Sequence, residues 1–264
     1  MWDTIIINPF TNALLFIYSL VGNMGIAIIL FTLLIRLVTH PLMVSQIKGS
    51  QGLQALQTDK RWIDAQAKYK NDKEKLAQEQ MALYKELGVN PLASCLPTLI
   101  QFPIIIGLYQ SLVTAVATTP LELFKLSNIL YPGFLQPSSI FPLNVQFLWM
   151  NMGQPEKLFL PFLPSFGIPV LAILVVITSY VQAKLTMPPP TGDPKSQSAS
   201  MGNMMTIYMP LLMGWISITA ASGLALYFFV GNVIGIAQYA ILGKLNWSNL
   251  FPSRKPVEKK KGSK

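Results

Sequence analysis

Carboxylates are missing from the most apolar parts of this chain. None of its eleven Asp and Glu residues falls in the five long apolar runs, which cover residues 23–44, 95–117, 165–187, 203–221 and 223–243. That absence removes the Asp and Glu groups that a proton- or ion-coupled transporter usually carries inside its spans. Histidine and cysteine occur once each, as His40 and Cys95. One cysteine excludes an internal disulfide framework and any cysteine-rich metal site. A single histidine, with no Gly-x-Ser-x-Gly turn, leaves an intramembrane hydrolase without its parts. The tetrapeptide Leu92-Ala-Ser-Cys95 has the form of a lipoprotein processing site, but its apolar stretch follows the cysteine instead of preceding it, so it reads as a chance match. The expectation is a protein that is not an enzyme and uses no cofactor and no metal.

Apolar residues make up 52% of the 264-residue chain and charged ones only 12%, and the mean hydropathy is +0.44. Each of the five runs supplies the roughly 17–25 mostly apolar residues that a spanning helix needs. The expected fold is therefore an all-α polytopic membrane protein with five transmembrane helices. Eight Lys and Arg residues lie in 45–94, two in 184–202 and seven after 243, against only Lys125 and Lys157 in 118–164. This asymmetry puts the N-terminus outside and the C-terminus in the cytoplasm, and topology then accounts for most of the formal net charge of +9. No basic residue precedes Arg36 and no small-residue cleavage site follows the first apolar core, so the first span is expected to be retained.

The segments between the runs differ in kind. Residues 1–22 are apolar but interrupted by Asn8, Pro9, Thr11, Asn12 and Ser19. They read as an outer interfacial segment, a sixth span that inverts the N-terminus being the alternative. In 45–94, Leu53, Leu56, Ile63 and Ala67 and then Leu76, Leu83 and Leu87 recur at helical spacing between charges, which predicts a cytoplasmic helical hairpin. Residues 118–164, with seven prolines, predict an outer loop of short irregular pieces. Residues 188–202 read as a linker. Residues 244–264 form a basic tail expected to be disordered, with three open readings: topology signal, anchor to anionic lipid, or contact with ribosomal RNA.

Polar residues inside the runs fall at one depth. Thr32 and Arg36 are four apart on one helical face. Gln101, then Thr178, Ser179 and Gln182, then Thr206, and finally Gln238 lie at comparable distances from the cytoplasmic ends of their own runs. Buried polar groups without partners are costly, so five helices sharing such groups at one level are best accommodated around water or a polar guest. The expected site is a hydrophilic groove open to the cytoplasm, lined by Arg36, Thr32, Gln101, Gln182, Thr206 and Gln238, with Arg36 supplying a positive potential. The plainer readings are an Arg36 that snorkels toward the interface, Gln and Thr that join helices, a His40 that packs, and a Gly231-xxx-Gly235 pair that is a weak packing motif. A small transporter or channel with an arginine-lined cavity is the functional alternative.

The chain resembles the YidC family of membrane-protein insertases, kin to the mitochondrial Oxa and chloroplast Albino proteins. The resemblance is carried by Val21-Gly-Asn-Met-Gly25, by Thr32-Leu-Leu-Ile-Arg36 with Pro41-Leu42, and by Asn90-Pro-Leu-Ala-Ser-Cys-Leu-Pro-Thr-Leu-Ile-Gln-Phe-Pro103. Phe147-Leu-Trp149, Met209-Pro210, Ser222-Gly-Leu-Ala-Leu-Tyr227 and Asn232 add to it. It implies an insertase and chaperone in a bacterial cell membrane, acting alone or beside the Sec translocon. Its implied partners are nascent membrane proteins, ribosomes and anionic lipids, with no small-molecule substrate. Arg36 falls at the family's groove arginine and Thr32 at its neighbour. Two positions depart from the family pattern: Ala221 stands where Pro is usual, and Phe228 where a second aromatic hydroxyl often follows Tyr227.

Overall fold

Helix geometry follows closely from where the chain can and cannot supply backbone donors. A computed structural model describes residues 1–45, 47, 52, 59–69, 72–88, 96–116, 120–131, 140–160, 163–186, 204–245 and 247. Helix α1 (Asp3–Val21) opens with a π-helical turn and closes at Gly22, whose φ of 67° is the left-handed conformation that glycine adopts freely. Asn23 caps α2 (Met24–Val38) by accepting from the Ile26 N–H at 3.2 Å. That helix stops six residues short of the expected span end. Pro41 has no N–H to give the Leu37 carbonyl, so the ladder breaks at Thr39 and helix resumes over residues 40–45.

Helices α3 (Lys60–Lys68) and α4 (Lys73–Glu86) are capped by Asp59 and Asp72. Trp62, Ala65 and Leu83 bury their contact. Arg61, at the start of α3, bonds Glu86, at the end of α4, at 2.6 Å, so the pair is antiparallel. Hydrogen bonds from Arg61 also hold the Asp59 carboxyl below its ordinary pKa. The segment expected to form a hairpin thus contains an antiparallel helix pair over 60–86; residues 46, 48–51, 53–58, 70, 71 and 89–95 lie outside the described residues.

Helix α5 (Leu96–Ala115), α7 (Val170–Thr186), α8 (Met209–Thr219, entered through a π-helical turn over Met204–Tyr208) and α9 (Ser222–Ile241) occupy the remaining four apolar runs. By length and composition α1 and α9 could each cross a membrane, whereas Met24–Val38, Gln101–Ala115, Val170–Thr186 and Thr206–Thr219 are apolar but shorter. The linker 188–202 and the tail beyond 247 lie outside the described residues.

Residues 4–20, expected as an interfacial segment, are helical throughout despite their polar side chains. Asn12 donates to the Asn8 and Ile129 carbonyls and accepts from the Tyr131 N–H, so α1 continues through it. The helix is roughly 28 Å long and packs against α2 and α5. Trp2 bonds Gln110, about 8 Å of helix rise from the end of α5, and Phe10 packs edge-on against Phe31 at 5.4 Å.

The described parts of 118–164 correct the expectation of an irregular loop, being more regular than the prolines predict; residues 118, 119, 132–139, 161 and 162 lie outside the described residues. It holds α6 (Pro120–Ile129) and two short antiparallel pairs, β1 (Gln146–Phe147) with β2 (Met150–Asn151) and β3 (Leu158–Leu160) with β4 (Leu163–Ile168). Because β4 uses residues through Ile168, α7 begins five residues later than its apolar run.

This stretch covers the end where α2, α7 and α9 begin, and it satisfies their first N–H groups, which have no intrahelical partners. Asn144 O accepts from Met24 N–H at 3.0 Å, Gln154 O and Met152 O accept from the Ser222 and Gly223 N–H groups, and Glu156 Oε2 accepts from Leu171 N–H at 2.6 Å. Beneath it Leu14, Met24, Ile28, Leu112, Met152 and Ala225 form a core with almost no exposure.

Candidate functional site

Toward the opposite end the packing loosens, and Arg36 lies there. It occupies the last turn of α2 and crosses to α9 where that helix has no side chains. A Cβ placed on Gly231 would stand 3.0 Å from Nη2, 3.7 Å from Nε and 3.8 Å from Cζ of Arg36. One placed on Gly235 would stand 3.7 Å from Nη1. The guanidinium therefore rests on bare backbone over one turn of α9. A Cβ on Gly235 would also stand 2.6 Å from Gln182 Nε2, so the amide from α7 reaches the same spot.

Tyr227, Gly231, Gly235 and Gln238 recur at helical spacing and make one stripe along α9. At its upper end the Tyr227 hydroxyl accepts from Gln101 Nε2 at 3.0 Å. At its lower end Gln238 Nε2 donates to the Arg36 carbonyl at 3.3 Å and also lies 3.3 Å from His40 Nδ1. Gln238 Oε1 is buried and has no hydrogen-bond partner among the described residues. On the adjoining face Asn232 Nδ2 donates to Thr178 Oγ1 at 3.1 Å and to Ser179 Oγ at 2.7 Å, fastening α7 to α9 beside the site.

Arg36 has no acidic partner among the described residues, and α2, α5, α7, α8 and α9 contain no Asp or Glu. A guanidinium offers five donors and accepts nothing. Arg36, Gln101 and Gln182 are each half-buried and remain reachable. The arrangement is suited to holding acceptor-rich, negatively charged groups reversibly.

Of the residues singled out from sequence, Arg36, Gln182 and Gln238 come together, and Gln101 joins them through Tyr227. Thr32 does not. It is fully buried, and its hydroxyl donates to the Ile28 carbonyl of its own helix at 2.6 Å. Thr206 lies in the π-helical turn ahead of α8, which packs chiefly against α8 and α7. The Gly231 and Gly235 pair, read as a weak packing motif, lies against Arg36 and Gln182, and His40, read as a packing residue, lies against Gln238. Tyr227 and Asn232 carried only a motif signal.

A model of the 60Kd inner membrane protein family matches residues 16–248. The chain belongs to that family. The YidC resemblance read from its motifs is thereby borne out. The chain is 32% identical to the membrane protein insertase MisCA of Bacillus subtilis over 240 residues, which is 90% of this chain and 77% of MisCA. It is also 32% identical to membrane protein insertase YidC 2 of Bacillus anthracis, covering 92% of this chain and 82% of that one. Against the chloroplast ALBINO3-like protein 1 of Chlamydomonas reinhardtii the identity is 33%, and the chain spans about half (48%) of that relative's length. A crystal structure of an active YidC insertase with its first transmembrane domain resolved superposes with a TM-score of 0.52 at 25% identity, over 84% of this chain and 42% of that one.

Proposed function

We propose that this protein is a membrane protein insertase that guides nascent membrane proteins into the bilayer along the Arg36 face of α9. The observation that carries the mechanism is Arg36 itself, unpaired with any acid among the described residues and laid on a glycine-floored stripe beside Gln182 and Gln238. Magnitudes make one cation useful. A carboxylate at the middle of a bilayer costs roughly 3 kcal/mol on lenient insertion scales. A charge pair at 4 Å with an effective dielectric constant near 20 gains about 4 kcal/mol. One arginine thus offsets about one acid at a time, enough to carry a short acidic segment and too little to hold it. The polar end of a client enters from the cytoplasm, its apolar segment leaves along α7 and α9 into lipid, and partition into lipid drives release. No covalent step is required.

In this reading the helices occupying the five apolar runs span the membrane, α1 lies at the outer surface, and α3–α4 projects into the cytoplasm. Sec translocon, ribosome and anionic lipid are the partners it accommodates, the last two through the basic tail.

The test is reconstitution. Purified protein in vesicles should raise protease-protected insertion of a single-span client with an acidic translocated segment well above empty vesicles; equal protection would overturn the reading. Orientation is tested separately with Cys95 replaced by Ser. A cysteine at Ser138 should react with an impermeant thiol reagent on intact cells and one at Ser50 should not, and the reverse pattern would invert the topology.

A further inference from the structure

The glycines under Arg36 are not accounted for by helix packing alone. Where α7 and α8 pack tightly, Gly214 is filled by Val176, an ordinary aliphatic knob in a hole. Gly231 and Gly235 are filled by the polar ends of Arg36 and Gln182. On α9 the buried stripe places Tyr227 above them and Gln238 below, and both of those side chains make hydrogen bonds that the glycines leave undisturbed.

We infer that Gly231 and Gly235 are positioning residues: they hold the Arg36 guanidinium flat against α9, between Tyr227 and Gln238, and so aim its donors at the acidic segment of a client. This rests on the proposed insertase reading and adds what sets the direction of the charge. The two glycines differ in what they control. A methyl group on Gly231 meets Nη2 at 3.0 Å, tighter than side-chain carbons ordinarily stand, so the guanidinium itself has to give by a few tenths of an ångström and loses its seat on the backbone. A methyl group on Gly235 meets Gln182 Nε2 at 2.6 Å, and the flexible end of that amide moves aside first. The Arg36 backbone is held independently by Gln238. The carbonyl stays in place while the charged end is displaced.

The experiment compares Gly231→Ala in two backgrounds, wild type and Arg36→Lys, at equal protein level in vesicles, with clients whose translocated segments are acidic or uncharged. In the wild-type background Gly231→Ala should lower insertion of the acidic client about fivefold, within the range that contacting residues couple, and leave the uncharged client nearly unaffected. In the Arg36→Lys background, whose ammonium has no planar group to lay on the backbone, the same change should have little further effect. Gly214→Ala serves as the steric control and should affect both clients alike. Where Gly231→Ala does not accumulate, Gly235→Ala takes its place, with a smaller loss of the same charge-selective kind. Equal loss in both backgrounds, or equal loss for both clients, would make the glycines packing residues and overturn the inference while leaving the insertase reading intact. If Arg36→Ala inserted the acidic client as well as wild type, the underlying reading would fail and the inference with it.

Discussion

From Ser222 to Phe228 helix α9 is buried on every side, whereas from Gly231 to Ile241 only every third or fourth residue is buried. The same contrast runs along α2, where Met24, Ala27, Ile28 and Phe31 are nearly inaccessible and Arg36 is half-buried. One pair of helices thus carries two regions with opposite rules. At the sealed end the leading N–H groups of three helices are taken up by residues 144–156, and the side chains beneath are mostly apolar, with Thr11, Asn12, Ser111 and Ser222 buried among them. At the loose end a cation stands without an acid among the described residues, a buried amide oxygen has no partner among them, and glycines replace side chains. The difference shows that openness here is local. The same helices pack tightly at one end and leave a polar site at the other.

Swapping the character of the two ends should break this contrast most severely. Leu224→Asn puts an amide into the sealed core and should cost roughly 1–3 kcal/mol for the unpaired group, with a further packing loss, read as a large drop in accumulation and in the detergent melting temperature. An equal stability would mean that water reaches that end. Next comes Glu156→Gln. Both carboxylate oxygens of Glu156 accept, Oε1 from Trp149 Nε1 at 2.7 Å and Oε2 from Leu171 N–H. An amide must turn a donor toward one of them, so thermal stability should fall by about 1–3 kcal/mol, with faster amide exchange at the start of α7. The smallest effect belongs to the loose end. Asn232→Ala removes the bond between α9 and Thr178 and Ser179, worth about 0.6–1.7 kcal/mol for interhelical bonds in membranes. It should alter stability little while changing crosslinking between α7 and α9; a loss as large as that of Leu224→Asn would show that the two ends are equally packed.

Much of this arrangement is readable from residue types, and the unreadable part has physical reasons. The apolar runs contain the long helices because hydropathy reports what must avoid water, but their ends depend on backbone donors. Pro41 truncates α2, and strand pairing through Ile168 delays α7. Arg36 and Gln238 were legible because charge and amide groups are conspicuous among Leu and Ile. Gly231 and Gly235 were legible only as a spaced pair, since a missing side chain has no chemistry until its neighbour is known. Thr32 shows the opposite error: four-residue spacing places it near Arg36 in projection, yet its hydroxyl is satisfied by Ile28 and faces the core. Family membership was legible from motifs spread over nearly the whole chain, which the match over residues 16–248 bears out.

The account turns on whether Arg36 acts as a cation toward clients. The most direct measurement is insertion into vesicles by wild type, Arg36→Lys and Arg36→Ala at equal protein level, across clients whose translocated segments carry none, one or two acidic residues. Wild type and Arg36→Lys should insert all three, with Arg36→Lys moderately weaker because a point charge lacks the planar donor fork. Arg36→Ala should insert the uncharged client and fall further behind with each acid, by about tenfold or more for the first. Equal insertion of every client by wild type and Arg36→Ala would contradict the account and leave Arg36 as a side chain that snorkels to the membrane surface.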